Sequence, residues 1–347
     1  MFGEVATLGE GDRAGLPSPR SQMSYHAFKS LRHVLSYLWW PGLIVAAIIP
    51  TAVGYSMGHG QLAFNMTYIC LAVVIFLLER LLPHEQAWLD HDNQMLPDLL
   101  HTLLTKGLAQ LLAVVSVVFG VDLAVGDQAA GAYWPTSWHI ILQVLLGLLI
   151  AEFGLYWAHR FAHEWAWLWP FHAVHHSATR LWFFNTGRFH FVDTVKSMLL
   201  GLPLLYIAGA PGVIFFWVSV MTAFIGILTH CNIEMRFGLL NYIFNTPGLH
   251  RWHHSMDLRE GNKNYGENLI LWDLLFGTFF DAERRPPAVI GIQEALPQSW
   301  TGQLVAPFIW RKFQQQNPGG SGLKPNYHDA PANETTTSNQ TAEVESR

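Results

Sequence analysis

Eight histidines stand in three short runs whose spacing suits metal coordination. His159 and His163 lie four apart in HRFAH. His172, His175 and His176 form HAVHH, and His250, His253 and His254 form HRWHH. Spacings of three and four place side chains on one side of a helix, so each run directs its imidazoles together. Neutral imidazole is the commonest protein metal ligand near neutral pH. A zinc site closes with about four ligands, so these runs point to two metal ions held almost wholly by nitrogen. A lone histidine is ordinarily a surface or core residue. Here, ten of the chain's 18 His fall between His159 and His254, and the others are scattered without pattern.

Two chemistries fit such a centre. A redox-inert zinc pair would suit hydrolysis, whereas iron would activate oxygen; imidazole suits both metals. No carboxylate, Ser or Cys nucleophile accompanies the runs in a recognisable motif, so no catalytic residue separate from the metal ligands is expected. Cys70 and Cys231 suggest no disulfide framework. His230, in LTHCNIE, emerges from an apolar stretch as His159 does, and His190, in GRFH, is a possible further ligand or a structural histidine. Glu152, Tyr156, His159 and His163 share one helical face, which puts Glu152 about 10 Å below His159. An acid deep in a membrane helix is costly and usually functional. Glu152 is therefore expected either to accept a hydrogen bond from a ligand imidazole or to pair within the bundle.

The elements that carry these residues belong to a membrane protein. Of 347 residues, 51% are hydrophobic and 13% charged, whereas soluble domains average about 25% charged. Apolar runs near 38–57, 62–82, 107–125 and 140–158 are long enough to cross a bilayer. A fifth, 197–229, is interrupted by GAPG at 209–212 and reads as a hairpin whose first half dips in without fully crossing. Lys and Arg flank alternate ends of these spans, and the loops near 58–61 and 126–139 contain neither. An even number of crossings then puts both termini and every histidine run in the cytoplasm. The expected fold is all-α: a polytopic membrane helical bundle with a cytoplasmic histidine-rich di-metal cap. Residues 1–25 and 314–347 are expected to be disordered, residues 26–130 to form an N-terminal transmembrane region, and residues 131–313 the catalytic region. A formal charge of −5 argues against a nucleic-acid partner.

The ordered set HRFAH, HAVHHS, THCNI and NTPGLHRWHHS, followed by KNYGENLILWDLLFGTFF, resembles the fatty acid hydroxylase/sterol desaturase superfamily, whose members are membrane non-haem di-iron oxygenases. The resemblance runs from about Glu152 to Asp281. It implies that His159, His163, His172, His175, His176, His250, His253 and His254 are ligands to two iron ions. It adds His230 as a ninth ligand, leaves His190 a less certain role, and makes Asn264 and Asp273 supporting residues. Alkylglycerol monooxygenase-like members are similar, but an acidic residue soon follows HHS there, where this chain has Ala178 and Thr179; that departure weakens the transfer of their pterin dependence and substrate. The implied activity is hydroxylation, or desaturation, of a C–H bond in a membrane lipid such as a sterol or fatty acyl chain, using O₂. Dehydrogenation of the C-5 sterol desaturase type is the nearer alternative; a zinc hydrolase and a metal transporter are the remote ones. No GxGxxG fingerprint and no haem domain are visible, so electrons are expected from a separate cytochrome- or ferredoxin-type donor.

Overall fold

The computed structural model describes residues 19–108, 111 and 133–316. The span expected at 107–125 falls almost wholly outside these residues, as do residues 1–18 and 317–347. Two long helices open the fold, α1 (Pro19–Ser56) and α2 (Gly60–Leu81). Residues 19–25, expected to be disordered, form the first turns of α1. Helix α3 (Met95–Leu100) runs directly into a π-helical turn, His101–Lys106. There follow α4 (Ile140–Glu164), α5 (Trp169–His176), α6 (Phe191–Ile207), α7 (Gly212–Thr229) and α8 (Pro247–His253). Short helices α9 (Leu271–Phe276), α10 (Trp300–Val305) and α11 (Trp310–Gln316) close the described chain. Extended pairing among the described residues is limited to isolated bridges such as Phe244 with Leu269.

Among the described residues, four helices are long and apolar enough to cross a membrane: Arg32–Ser56, Gly60–Leu81, Ile140–Glu164 and Gly212–Thr229. Their outer faces explain why. Helix α2 buries one stripe, Leu71, Ile75 and Glu79, at intervals of four residues. Leu62, Met66, Ile69, Val73 and Leu77 are each more than half exposed. An apolar face of that extent suits hydrocarbon and not water.

The interrupted stretch is a hairpin. Just past the end of α6 stands Gly209, whose φ of 73° is open to glycine at little cost. Pro211 then caps α7 in an extended conformation. Helix α4 packs closely along α6, because a Cβ on Gly154 would collide with the carbonyl oxygen of Leu200. Trp40, Ile75, Phe224 and Leu228 join α1, α2 and α7 in one apolar core. The histidine-bearing ends of α4, α5, α7 and α8 meet beyond that core.

Candidate metal centre

Nine imidazoles converge in two groups. His159, His163, His172, His176 and His253 form one; His175, His230, His250 and His254 form the other. Within each group the ligand atoms lie within 4.8 Å of one another, and all nine residues are buried. The H-x-x-H-H runs are divided between the groups in complementary fashion. In α5 the pair four apart, His172 and His176, joins the first group, and His175 turns to the second. In the third run His250 and His254 join the second group, and His253 turns to the first. Neighbouring helical residues point about 100° apart, which makes this division geometrically natural.

The Nε2 atoms face inward. His159 Nε2 lies 3.0 Å from His172 Nε2, which is 3.1 Å from His176 Nε2. In the second group His250 Nε2 lies 2.9 Å from His230 Nε2 and 3.1 Å from His254 Nε2. His254 Nε2 is also 3.2 Å from His175 Nε2.

Five outer Nδ1 atoms meet groups that can only accept a proton. His159 donates to the Tyr265 carbonyl at 2.7 Å and His253 to the Lys263 carbonyl at 2.7 Å. His172 donates to Asp193 at 2.7 Å, His163 to Asn262 Oδ1 at 3.2 Å, and His230 to Asn185 Oδ1 at 2.8 Å. A neutral ring whose proton sits on Nδ1 presents a lone pair at Nε2. His159 and His172 thus aim two lone pairs at each other across 3.0 Å with no proton to share. A cation between them removes that repulsion, so the donor set fits a metal ion on each group.

Burial keeps the rings neutral. It is the first cause holding His175, His176, His250, His253 and His254 well below the ordinary histidine value, and neighbouring imidazoles add to it. Burial, then the charge of Lys106, lowers His230 to about 3. Asp193 is opposed by burial, but Lys196 at 2.5 Å and His172 outweigh it and hold its carboxyl below the usual range.

One loop orients three ligands of the first group, through Asn262 Oδ1 and the carbonyls of Lys263 and Tyr265. Its shape rests on the three supporting residues read from sequence. Asn264 adopts a φ of 56°, a region asparagine tolerates. Its amide donates to the carbonyls of Leu249 and Phe280, at 3.1 and 2.8 Å. Asp273 accepts from the backbone N–H of Tyr265 and Gly266, both at 2.7 Å, and from Thr278 Oγ1. Glu152 accepts from the backbone N–H of Glu267 and Asn268, and from the Asn268 amide at 2.8 Å. Glu152 thus takes no bond from an imidazole. Both its oxygens are engaged by the loop, and it acts on His159 through the Tyr265 carbonyl. Gly266 admits this close approach, since a Cβ there would strike the Leu269 carbonyl oxygen.

His190 stands outside both groups. Its Nδ1 accepts from Val192 N at 3.2 Å, capping α6, and its Nε2 donates to the Leu304 carbonyl at 3.2 Å. With both nitrogens engaged, His190 takes the structural one of the two roles its sequence context offers. Its neighbour Arg188 does more for the site. Arg188 bonds Asp98 at 2.7 Å, Gln94, the Val174 carbonyl and Ser177, pinning the C-terminal end of α5 to α3. The orienting roles of Asp193, Asn185, Asn262, Lys263 and Tyr265 escape sequence reasoning. Asp193, in the first turn of α6, and the amide side chains of Asn185 and Asn262 stand in no recognisable motif, and a backbone carbonyl leaves no signal at all.

A family model described as fatty acid hydroxylase matches residues 144–278. The chain is 46% identical over 290 residues to the ornithine lipid hydroxylase OlsE of Rhizobium tropici, covering 82% of this chain and 88% of that one. It is 30% identical over 184 residues to an alkylglycerol monooxygenase of Danio rerio, covering 52% of this chain but 39% of that one. Methylsterol monooxygenase 1-2 of Arabidopsis thaliana is 28% identical over 155 residues, 43% of this chain and 50% of its own. No solved structure matches the chain.

Proposed function

The chain belongs to the fatty acid hydroxylase family, and from that premise we propose that it is a membrane-bound non-haem di-iron hydroxylase of an ornithine-type amino lipid. The observation that carries the reading is the convergence of nine neutral imidazoles, with lone pairs opposed at about 3 Å, in two adjoining groups. The named substrate comes from the relative sharing 46% identity over 88% of its length. Hydroxylation is favoured over desaturation because the relatives compared are named hydroxylases and monooxygenases.

In this reading the five imidazoles of one group and the four of the other hold one iron each. The iron pair, when bound, supplies reductive activation of O₂ and oxidation of a C–H bond. The chain's own residues do the rest. Asp193, Asn185, Asn262 and the carbonyls of Lys263 and Tyr265 keep the inward nitrogens of His172, His230, His163, His253 and His159 deprotonated. Glu152, Asn264 and Asp273 hold the orienting loop. Spanning helices present the apolar part of the lipid, and a separate cytochrome- or ferredoxin-type protein delivers electrons on the cytoplasmic side. Residues 131–313 form the catalytic region and residues 26–130 the N-terminal membrane region.

The experiment is metal analysis and oxygen uptake on the purified protein with an ornithine lipid and a reductant. The expected result is two iron ions per chain and a lipid product carrying one added oxygen atom. His175→Ala and His254→Ala are expected to lose iron and all turnover. A product lacking two hydrogens makes the protein a desaturase, and zinc with no oxygen uptake overturns the oxygenase reading.

A further inference from the structure

The nine imidazoles are closed off from solvent, each being 6% exposed or less. A metal ion therefore needs a way in that the ligands' own exposure does not supply. One cleft reaches a ligand. It encloses about 70 Å³, and His176 of the first group forms part of its wall, with Trp169, Ser255, Met256, Gln293 and Glu294. That is room for a few waters or a partly hydrated ion, since one water needs about 10–15 Å³. Met256 and Gln293 are exposed and form the outer part; His176, Ser255 and Glu294 are buried and form the inner part.

One side of the cleft is a strap of irregular chain, residues 290–294, laid across the third histidine run. It is fastened by the bridge between Ile290 and Ser255, and by the Gly291 N–H, which donates to the His254 carbonyl at 3.3 Å. Gly291 has a φ of 121°, a conformation open to glycine. The carbonyl oxygens of Ala178 and His176 lie 3.4 and 3.8 Å from where its Cβ would stand. The strap thus runs close against the end of α5 as well.

Packing does not account for Glu294. It is 6% exposed, and its Oε1 has no hydrogen-bond partner. A buried carboxylate without a partner is costly, and burial pushes this carboxyl up. The other polar groups of the inner cleft are committed. Ser255 donates to Glu260 at 2.8 Å, and His176 Nε2 faces His172 at 3.1 Å. Carboxylate oxygen takes divalent ions that still carry water, whereas imidazole suits iron and zinc. An oxygen donor followed by a nitrogen donor suits an ion that sheds water on its way inward.

We propose that this cleft is the route by which metal ions enter and leave the centre, with Glu294 as a transient ligand that passes the ion to His176. The second group lies one ring further on, because the His176 and His254 rings stack with centroids 4.4 Å apart. The proposal requires only that the histidine groups hold divalent metal, so it stands apart from the hydroxylase reading. A route serves both directions. Loss of the Glu294 charge therefore slows uptake and release by the same factor and leaves affinity unchanged.

The test follows metal exchange in the full-length, iron-loaded protein in detergent. Excess isotopically labelled ferrous iron is added without oxygen, and the label taken up is followed by mass spectrometry. Glu294→Gln is expected to exchange roughly tenfold or more slowly than wild type, the lower end of the gain that a charged cleft gives to an oppositely charged ion. Glu294→Asp, which keeps the carboxylate, is expected to exchange close to the wild-type rate. Met256→Trp, which narrows the outer cleft, is expected to slow exchange as well. Iron content at saturation and the thermal midpoint are expected to match wild type in all three. Exchange at the wild-type rate in Glu294→Gln or in Met256→Trp overturns the route. Slower exchange with less iron bound at equilibrium also overturns it, because Glu294 then supports the site and does not conduct metal. Labelled zinc and oxygen uptake separate this proposal from the function proposed above. A zinc protein with no oxygen uptake, whose zinc exchange still slows in Glu294→Gln, overturns the oxygenase alone. An active iron oxygenase whose exchange is indifferent to Glu294 overturns the route alone.

Discussion

The inward nitrogens are made into ligands by what lies behind them. Each outer Nδ1–H that meets a carbonyl, amide oxygen or carboxylate fixes one tautomer, and the ring's basicity follows its partner. Asp193 is the strongest such partner, an ionised carboxylate 2.7 Å from His172 and 2.5 Å from Lys196. Asp193→Asn keeps an acceptor but loses the charge, and metal affinity is expected to fall roughly 10- to 100-fold in a chelator competition. Unchanged affinity would mean that the geometry, without the charge, suffices. The same rings set the pH response of the metal-free protein. His175, His176, His250, His253 and His254 titrate far lower folded than unfolded, and His230 near 3. Below about pH 6.5 the unfolded chain therefore binds protons that the folded chain refuses. Stability is present above that pH and is lost as pH falls, each ring contributing up to about 1.4 kcal/mol per pH unit. The thermal midpoint of chelator-treated protein is expected to drop between about pH 7 and pH 5. A flat or rising midpoint would contradict neutral buried imidazoles.

At the scale of elements, two supports carry the ligands. The loop through Asn262 and Tyr265 orients three rings and is itself clamped by Glu152 from α4 and Asp273 from α9. The second support is Arg188, which ties α5 to α3 through a buried pair with Asp98. Burial pushes the Asp98 carboxyl up, and Arg188 opposes it. Removing one partner of such a pair leaves the other charged and desolvated. Arg188→Met is expected to cost about 3–5 kcal/mol, and adding Asp98→Asn to recover part of it. The check is thermal unfolding of the two single variants and the double; a double variant whose loss equals the sum of the two single losses would deny coupling. The histidine runs and the spans were legible in the sequence, because a period of 3.6 residues and a run of about 20 apolar residues are local properties. The clamps were only partly legible. Glu152, Asn264 and Asp273 were visible as residues, whereas what they hold is main chain, which has no residue-specific signature.

Over the whole molecule, four apolar helices support a cap in which nine imidazoles are gathered at one end. From the basic residues flanking the spans and the positive-inside rule, we propose that this end faces the cytoplasm. A topology reporter inserted at Met57–His59 is therefore expected to read as external, and one at Ala282–Arg285 as internal. The opposite pattern would invert the orientation and move the electron donor to the other face. This scale also limits sequence reasoning most. The 150 positions between His84 and Glu234, or the 202 between His101 and Gln303, close only when the bundle packs.

The sequence by itself determined the ligand type, the helical face each run presents and the membrane setting, since chemistry and periodicity are written residue by residue. Only the tertiary structure decided which imidazoles converge in one group. His175 parts from its neighbour His176, and His253 from His254, because adjacent helical side chains diverge by about 100° and helix packing sets what stands opposite each. It also decided that His190 caps a helix, because Val192 N and the Leu304 carbonyl engage both its nitrogens.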